Sequence, residues 1–283
     1  MTGVDERSAY SPPNDVGKCH SQNIQDRLES LASRQMKRLA PPPPISPEVL
    51  RDAVDWAIVS RRAIRAFLPT PVPRAEVEAI LDVARHCASG VNTQPWQVHV
   101  VTGAAKDRVS AAIVKAYDDP ALHAQLDEPY DYYPREWVSP YVDRRRKLGW
   151  ELYGLLGIAK GDKPGMHAQH ARNYRFFDAP VGLMFTIDRV MQQGSFIDYG
   201  MFLQSVMVAA RARGLDTCPQ AAFTTFHRII AKELGIPDGQ LLVCGMSLGY
   251  ADPSRVENSL VSERESVSTF TRFHDRNTTE TSP

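Results

Sequence analysis

The stretch IDYGMFLQSVMVAARARG, Ile197 to Gly214, carries apolar side chains on almost every side of a helix, among them Met201, Phe202, Leu203, Val206, Met207, Val208, Ala209 and Ala210. A helix with no polar face has to be covered all round, so the pattern predicts a central, buried helix over Ile197 to Arg213, stopped by Gly214. On either side lie short unbroken apolar runs, VGLMFTI (Val181 to Ile187) and LLVCGMSL (Leu241 to Leu248), whose length suits buried strands. A helix over about Thr225 to Leu234 separates the central helix from the second run. Strands separated by helices, with few tight hairpin signals, indicate a layered α/β or α+β fold.

Working outward toward the N-terminus, QVHVV (Gln97 to Val101) reads as a short strand followed by a helix over Ala104 to Tyr117. Before it, Val77, Ile80, Leu81 and Ala84 mark one face of a helix from Pro73 to about His86. Earlier still, Ser46 suits a cap, Pro47 suits the first helical position, and Leu50, Val54, Ala57 and Ile58 recur at helical spacing. The folded domain is therefore expected to start at about residue 47. Residues 1–46 are polar, contain a weak helical patch from Ile24 to Met36, and run into Pro41, Pro42, Pro43 and Pro44, which points to a flexible proline-rich leader. Ser139 and Pro140 begin a further amphipathic helix through Tyr141, Arg145, Leu148, Leu152, Leu155 and Leu156. The last 30 or so residues resemble an extended arm, with a tail at 276–283.

At 283 residues the chain suits one core with arms rather than two domains. Thirty-three basic residues cancel 33 acidic ones, which removes the electrostatic footprint expected of a nucleic-acid binder. Cys19, Cys87, Cys218 and Cys244 form no CxxC and no zinc-ligand spacing, so neither a metal site nor a disulfide framework is expected. Asp5, Glu6 and Arg7 stand where a signal peptide needs an apolar core, and no stretch approaches the ~18 apolar residues of a membrane span. A reduced, cytoplasmic setting without membrane contact is the expectation.

Two clusters carry candidate chemistry. Ser60-Arg61-Arg62-Ala63-Ile64-Arg65 puts three forked cations within five residues, suited to a phosphate or a developing anion. A charged helix end favoured by the macrodipole explains the same residues without a ligand. Ala88-Ser89-Gly90-Val91-Asn92-Thr93-Gln94-Pro95-Trp96 combines small residues, which let backbone amides approach a ligand, with amides that donate and accept. A capped helix end plus a turn is the structural alternative.

Taken in order, SRRAIRAF, HCASGVNTQPWQVHVV, LQSVMVAARARGLDTCPQAAF and LLVCGMSLGYAD resemble the motif succession of the FMN-dependent nitroreductase family, and the likeness runs over about residues 47–275. The resemblance implies an α+β, nitroreductase-like fold: a central mixed sheet flanked by helices, in an interlocked homodimer with an extended C-terminal arm and two FMN molecules at the interface. It implies that Arg61, Arg62 and Ala63 meet the phosphate and ribityl chain and that Arg65 reaches the pyrimidine edge of the flavin. Ser89, Gly90 and Asn92 would contact the flavin held mainly by the partner subunit. Pro219, Gln220, Ala221 and Ala222 would pass behind the ring near N5, and Arg264 would close on the phosphate. Two departures are visible: Ala63 stands where the family usually has serine, and Ala221-Ala222 where it often has Gly-Gly or Glu-Gly.

The implied activity is NAD(P)H-driven reduction of nitro-aromatic acceptors by a ping-pong hydride mechanism, with either NADH or NADPH as donor. Direct hydride transfer requires no general acid or base from the protein, so His86, His99 and His227 are read as structural or surface groups. The aromatic loop PYDYYPREW, Pro129 to Trp137, lies within an insertion at 125–165. Flat rings there, with Tyr133 as the candidate, would stack on a flat acceptor, and Arg145 within the basic run Arg144 to Arg146 would attract an acidic substituent. A tyrosine-rich loop packed on its own helix is the alternative. The same fold acting on quinones, flavin or halogenated aromatics, or a non-catalytic flavin-binding protein, are the competing functions.

Overall fold

Ser46 opens the first helix: Leu50 N donates to Ser46 O at 3.1 Å, and Pro47 occupies the first turn, where its missing N–H costs nothing. The computed structural model describes residues 44–274. The expected leader up to residue 43, with its helical patch and Cys19, and the tail at 276–283 lie outside the described residues. Contacts divide the chain into two units, Met1–Asp52 and Ala53–Pro283.

In chain order the elements are α1 (Pro47–Ser60), α2 (Arg74–Ala84), β1 (Gln97–Thr102), α3 (Gly103–Asp118), the single turn α4 (Pro120–His123), α5 (Tyr141–Leu155), α6 (Lys163–Ala171), β2 (Val181–Asp188), α7 (Gln193–Arg211), β3 (Asp216–Gln220), α8 (His227–Leu234), β4 (Gln240–Gly249) and the short α9 (Val267–Phe270). The four strands form one sheet in the order β1-β2-β4-β3, every neighbouring pair antiparallel. The expected mixed character is thus confined, among the described residues, to one parallel bridge between Ala63 and Thr217. α+β is the class, and no helix among the described residues is long and apolar enough to cross a membrane.

β2 and β4 are buried along almost their whole length because both faces of the sheet are covered, which is why they read as unbroken apolar runs. Period-two order survives in what each side chain meets. Val181, Leu183, Phe185 and Ile187 pack into a core with α2 and α7, whereas Met184 joins Phe176, Phe177, Phe223 and Phe226 on the opposite face with α3 and α8. Gly182 and Gly245 also face that second core, where a Cβ would collide with the ring of Phe176 and of Phe223 respectively, two rings tilted by 34° with centroids 4.8 Å apart.

α7 begins at Gln193 rather than Ile197 and stops where expected: Gly214 adopts φ 73° and Leu215 N reaches back to Ala210 O at 3.0 Å. Tyr199 ties it to the sheet, its hydroxyl lying 2.9 Å from both Gln97 O and Thr186 O. Burial all round is not reached within one chain, since Ile197 is 70% exposed and Met201 39%. β3 was not anticipated because Pro219 interrupts it; as the edge strand it tolerates a residue without an N–H. α6 likewise hides behind Pro164 and Gly165, with Asp162 accepting from Gly165 N at 2.9 Å as its cap.

Gly245→Ala should destabilise the fold by roughly 1–3 kcal/mol through overpacking against Phe223. Urea unfolding would show it as a lowered midpoint at unchanged slope, and an unchanged midpoint would contradict the described packing.

Candidate functional site

Immediately after α1 the chain leaves the helix and lies beside β3: Ile64 N donates to Thr217 O at 3.1 Å, and Phe67 pairs with Ala251. Ile64, Ala66 and Phe67 are buried by this pairing, so the intervening Arg61, Arg62 and Arg65 remain accessible to ligand. With Ala63 they line a cavity of about 630 Å³, whose wall is completed by Val59 of α1, Leu148 of α5, Gln204 of α7 and the segment from Leu260 to Ser262 with Arg264. That volume lies within the usual range for small-molecule sites. Residues separated by some two hundred positions, Arg61 to Arg65 and Arg264, are thereby brought to one place.

Among the described residues none of these four guanidinium groups forms an ion pair with a carboxylate. Arg264 donates to Ser262 Oγ at 2.7 Å and Glu263 O at 2.8 Å, and Arg65 to its neighbour Ala63 O at 3.3 Å. Burial, and next the like charge of Arg264, pushes the Arg61 guanidinium below its ordinary value, with the Cys218 thiol acting the other way. Burial drives Cys218 up to about 11 despite the opposing charges of Arg65 and Arg61, so it stays a neutral, packed thiol. Like charges without carboxylate partners around one cavity favour an anion, and forked donors suit a phosphate. This donor set, beside apolar Val59, Leu148 and Leu260, fits a phosphorylated ligand with a flat apolar part, as FMN is.

A second cavity of about 840 Å³ lies elsewhere, between α2 and α3, but its cations are already engaged. Arg74 pairs with Glu78 at 2.6 Å and Lys106 donates to Ala179 O at 2.6 Å.

Three residues missed in the sequence lie near the arginine segment, and one of them, Asn258, holds it directly. Asn258 accepts from Arg65 N at 2.8 Å and donates to Ala66 O and Asp252 O at 2.8 and 2.9 Å. Beside it the buried carboxylate of Glu257 takes Arg172 at 2.6 Å and Arg255 at 2.9 Å. Those contacts, with burial opposing them, hold Glu257 below the usual carboxylate range. Asp216 is pushed up by burial and pulled back by Arg211, 3.1 Å away, and more weakly by Arg62. Only the nearness of Glu257 and Asn258 to Arg264 in the chain hinted at their part.

Pro219 and Gln220 end β3, and Ala221 and Ala222 begin the 3-10 turn Ala221–Phe226 that follows. Gln220 spends its side chain internally, donating to Asn173 O at 2.8 Å and accepting from Ser247 Oγ at 2.7 Å. Only its backbone remains for a ligand. Ser89, Gly90 and Asn92 lie in a separate loop secured to α7 by Gly90 N donating to Asp198 Oδ1 at 3.2 Å, and none of them lines the arginine cavity. Their loop is strained: Val91, Asn92 and Gln94 have φ of 44°, 61° and 48°, and the Val91 side chain is 98% exposed.

Tyr133 and Arg145 do not line that cavity either. The Arg145 guanidinium lies 4.7 Å from the Trp137 ring centroid and 5.8 Å from that of Tyr133, an intramolecular cation–π cluster. Arg144 is bound by Glu265 at 2.7 Å. Arg145 and Arg146 line a separate cavity of about 380 Å³ with Trp137, Trp150 and Tyr153.

The site is a cavity lined by four arginines on an α+β scaffold. The family model described as the nitroreductase family matches residues 58–250. The chain is 45% identical over 225 residues to a 4-nitrobenzoate reductase of Pseudomonas putida, covering 80% of this chain and 97% of that protein. It is 43% identical over 220 residues to a chloronitrobenzene nitroreductase of Comamonas testosteroni, covering 78% and 96%. The crystal structure of the FMN-dependent nitroreductase NfnB from Mycobacterium smegmatis in complex with NADPH superposes with a TM-score of 0.75 at 33% identity, covering 80% of this chain and 100% of that one. This chain belongs to the nitroreductase family.

Inorganic phosphate should stabilise ligand-free protein by about 2.7 kcal/mol at a hundredfold excess over its Kd, read as a melting temperature that rises with phosphate concentration. Because inorganic phosphate loses its second negative charge as pH falls below neutrality, the gain should shrink on acidification. The same gain in Arg61→Gln and Arg264→Gln would exclude the cavity as its source.

Proposed function

We propose that this chain is an FMN-dependent reductase that uses NAD(P)H to reduce nitro-aromatic compounds in ping-pong order, as a homodimer. The observation that carries the reading is the convergence of Arg61, Arg62, Arg65 and Arg264 on one cavity, without carboxylate partners among the described residues. The relatives' printed names, 4-nitrobenzoate reductase and chloronitrobenzene nitroreductase, support the acceptor class. NfnB, FMN-dependent and in complex with NADPH, supports the cofactors.

When bound, FMN supplies two-electron hydride chemistry between nicotinamide and acceptor. The chain's part is binding and electrostatics. Arg61, Arg62 and Arg264 would hold the phosphate, while Arg65, its backbone N–H fixed by Asn258, keeps a permanent cation where electron uptake leaves negative charge. A fixed charge there favours reduction without moving a proton. Ser89, Gly90 and Asn92 would serve a flavin from the other side of a dimer interface, and the backbone of Pro219 to Ala222 would line the face behind the ring. The dimer would also cover apolar side chains that one chain leaves open: Trp56, Ile58 and Val59 of α1, and Ile197 and Met201 of α7.

Mixing the yellow protein with NADPH or NADH under nitrogen should bleach the flavin absorbance, and a nitro-aromatic should restore it. Persistent colour with both nucleotides would sink the reductase reading. Colour restored by quinones but not by nitro-aromatics would replace the acceptor class. Arg65→Ala should keep the fold and slow bleaching by roughly 10²-fold, and unchanged kinetics would refute its role. Intersecting rather than parallel double-reciprocal plots would overturn the ping-pong order, and a monomer sedimenting at micromolar concentration would overturn the dimer.

A further inference from the structure

The segment that carries Arg264 to the cavity has little backbone to hold it. Residues 260–265 belong to no helix or strand, and among the described residues no backbone–backbone hydrogen bond fixes their N–H or C=O groups. Their last firm attachment on the N-terminal side is Asn258, clamped to Ala66 and Asp252. Beyond it, two ion pairs take over, both from the basic face of α5. Arg144 directs Nε and Nη2 at Glu265 Oε1, 3.2 and 2.7 Å away, and Lys147 Nζ meets Glu263 Oε2 at 2.6 Å. The hydrogen bond to Glu263 raises the Lys147 ammonium above its ordinary value.

These two glutamates flank Arg264 in the chain. Arg144 and Lys147, three apart, lie on one helix face, and the residue after Lys147 is Leu148, which lines the arginine cavity together with Arg264. We propose that Arg144 and Lys147 of α5 act as an electrostatic latch on Glu265 and Glu263, and that this latch positions Arg264 at the cavity. Arg144 and Lys147 of the RRRK run then serve retention of the phosphorylated cofactor. Glu263 and Glu265 are positioning residues. The inference rests on the reading of the cavity as the FMN phosphate site.

A test follows from a conflict of signs. Glu263 and Glu265 are negative charges beside an anion site, so their field alone opposes phosphate binding. Neutralising both should tighten FMN binding if they act only through charge, and weaken it if they hold Arg264 in place. The measurement is the dissociation constant of FMN for the flavin-free full chain, by quenching of flavin fluorescence at low salt, for wild type, E263Q/E265Q, R264Q and the triple variant. All three glutamate and arginine positions are surface residues, so the fold should survive, which circular dichroism would verify.

Two exposed pairs predict FMN binding weaker by roughly two- to thirtyfold in E263Q/E265Q, with the difference shrinking at high salt. Arg264→Gln should cost less in that background than alone, because the latch acts through Arg264. Unchanged or tighter binding by E263Q/E265Q, or strictly additive losses, would overturn the latch while leaving the site intact. Wild-type chain that takes up no FMN would overturn the site reading itself.

Discussion

Four guanidinium groups at one cavity repel one another, and the downward pull of Arg264 on Arg61 is the mark of that repulsion. Much of the surrounding structure resists it. Pairing of Ala63 with Thr217 fixes the first segment to β3, Asn258 fixes Arg65 and Ala66 to the segment after β4, and Glu257 neutralises Arg172 and Arg255 nearby. A buried carboxylate between two arginines adds little net stability, because desolvation consumes most of the attraction. With Asn258 beside it, Glu257 ties residues 255–258 to Arg172 and Ala66, at the point from which the chain continues toward Arg264.

The two-sided sheet makes that register possible. β2 and β4 carry large side chains toward α2 and α7 on one face, and glycines toward the phenylalanine cluster on the other. Gly182 and Gly245 let Phe176 and Phe223 approach the sheet closely, and Phe176, Phe177 and Asp178 hold φ of 54°, 51° and 70° in doing so. Phe177 O in turn accepts from Phe67 N at 3.1 Å. The strained turn is thus continuous with the end of the arginine segment, so core packing and site geometry are parts of one arrangement.

Much of this was legible in the sequence. β2, β4, α2, α3 and α7 declared themselves because a covered element must be apolar at its own period, and Gly214 because a left-handed cap favours glycine. β3 and α6 did not, since Pro219, Pro164 and Gly165 are tolerated only at an edge or a first turn, facts that tertiary structure decides. The arginines were legible as a cluster, and Arg264 only through the family's motif order. Asn258, Glu257 and Asp198 were not legible, because each has a role only through a partner distant in the chain. The RRRK run was ambiguous for the same reason: that Arg144 faces Glu265 is invisible until the arm is placed.

Ala63 joins these strands of reasoning. Thr217, its bridge partner, keeps a hydroxyl buried with no hydrogen-bond partner among the described residues, at a position 1% exposed. Such an orphan costs about 1–3 kcal/mol, a large share of a small protein's stability. Ala63 lines the arginine cavity whereas Thr217 does not, so the cost falls on the wall behind the site and not on a surface that a ligand reaches.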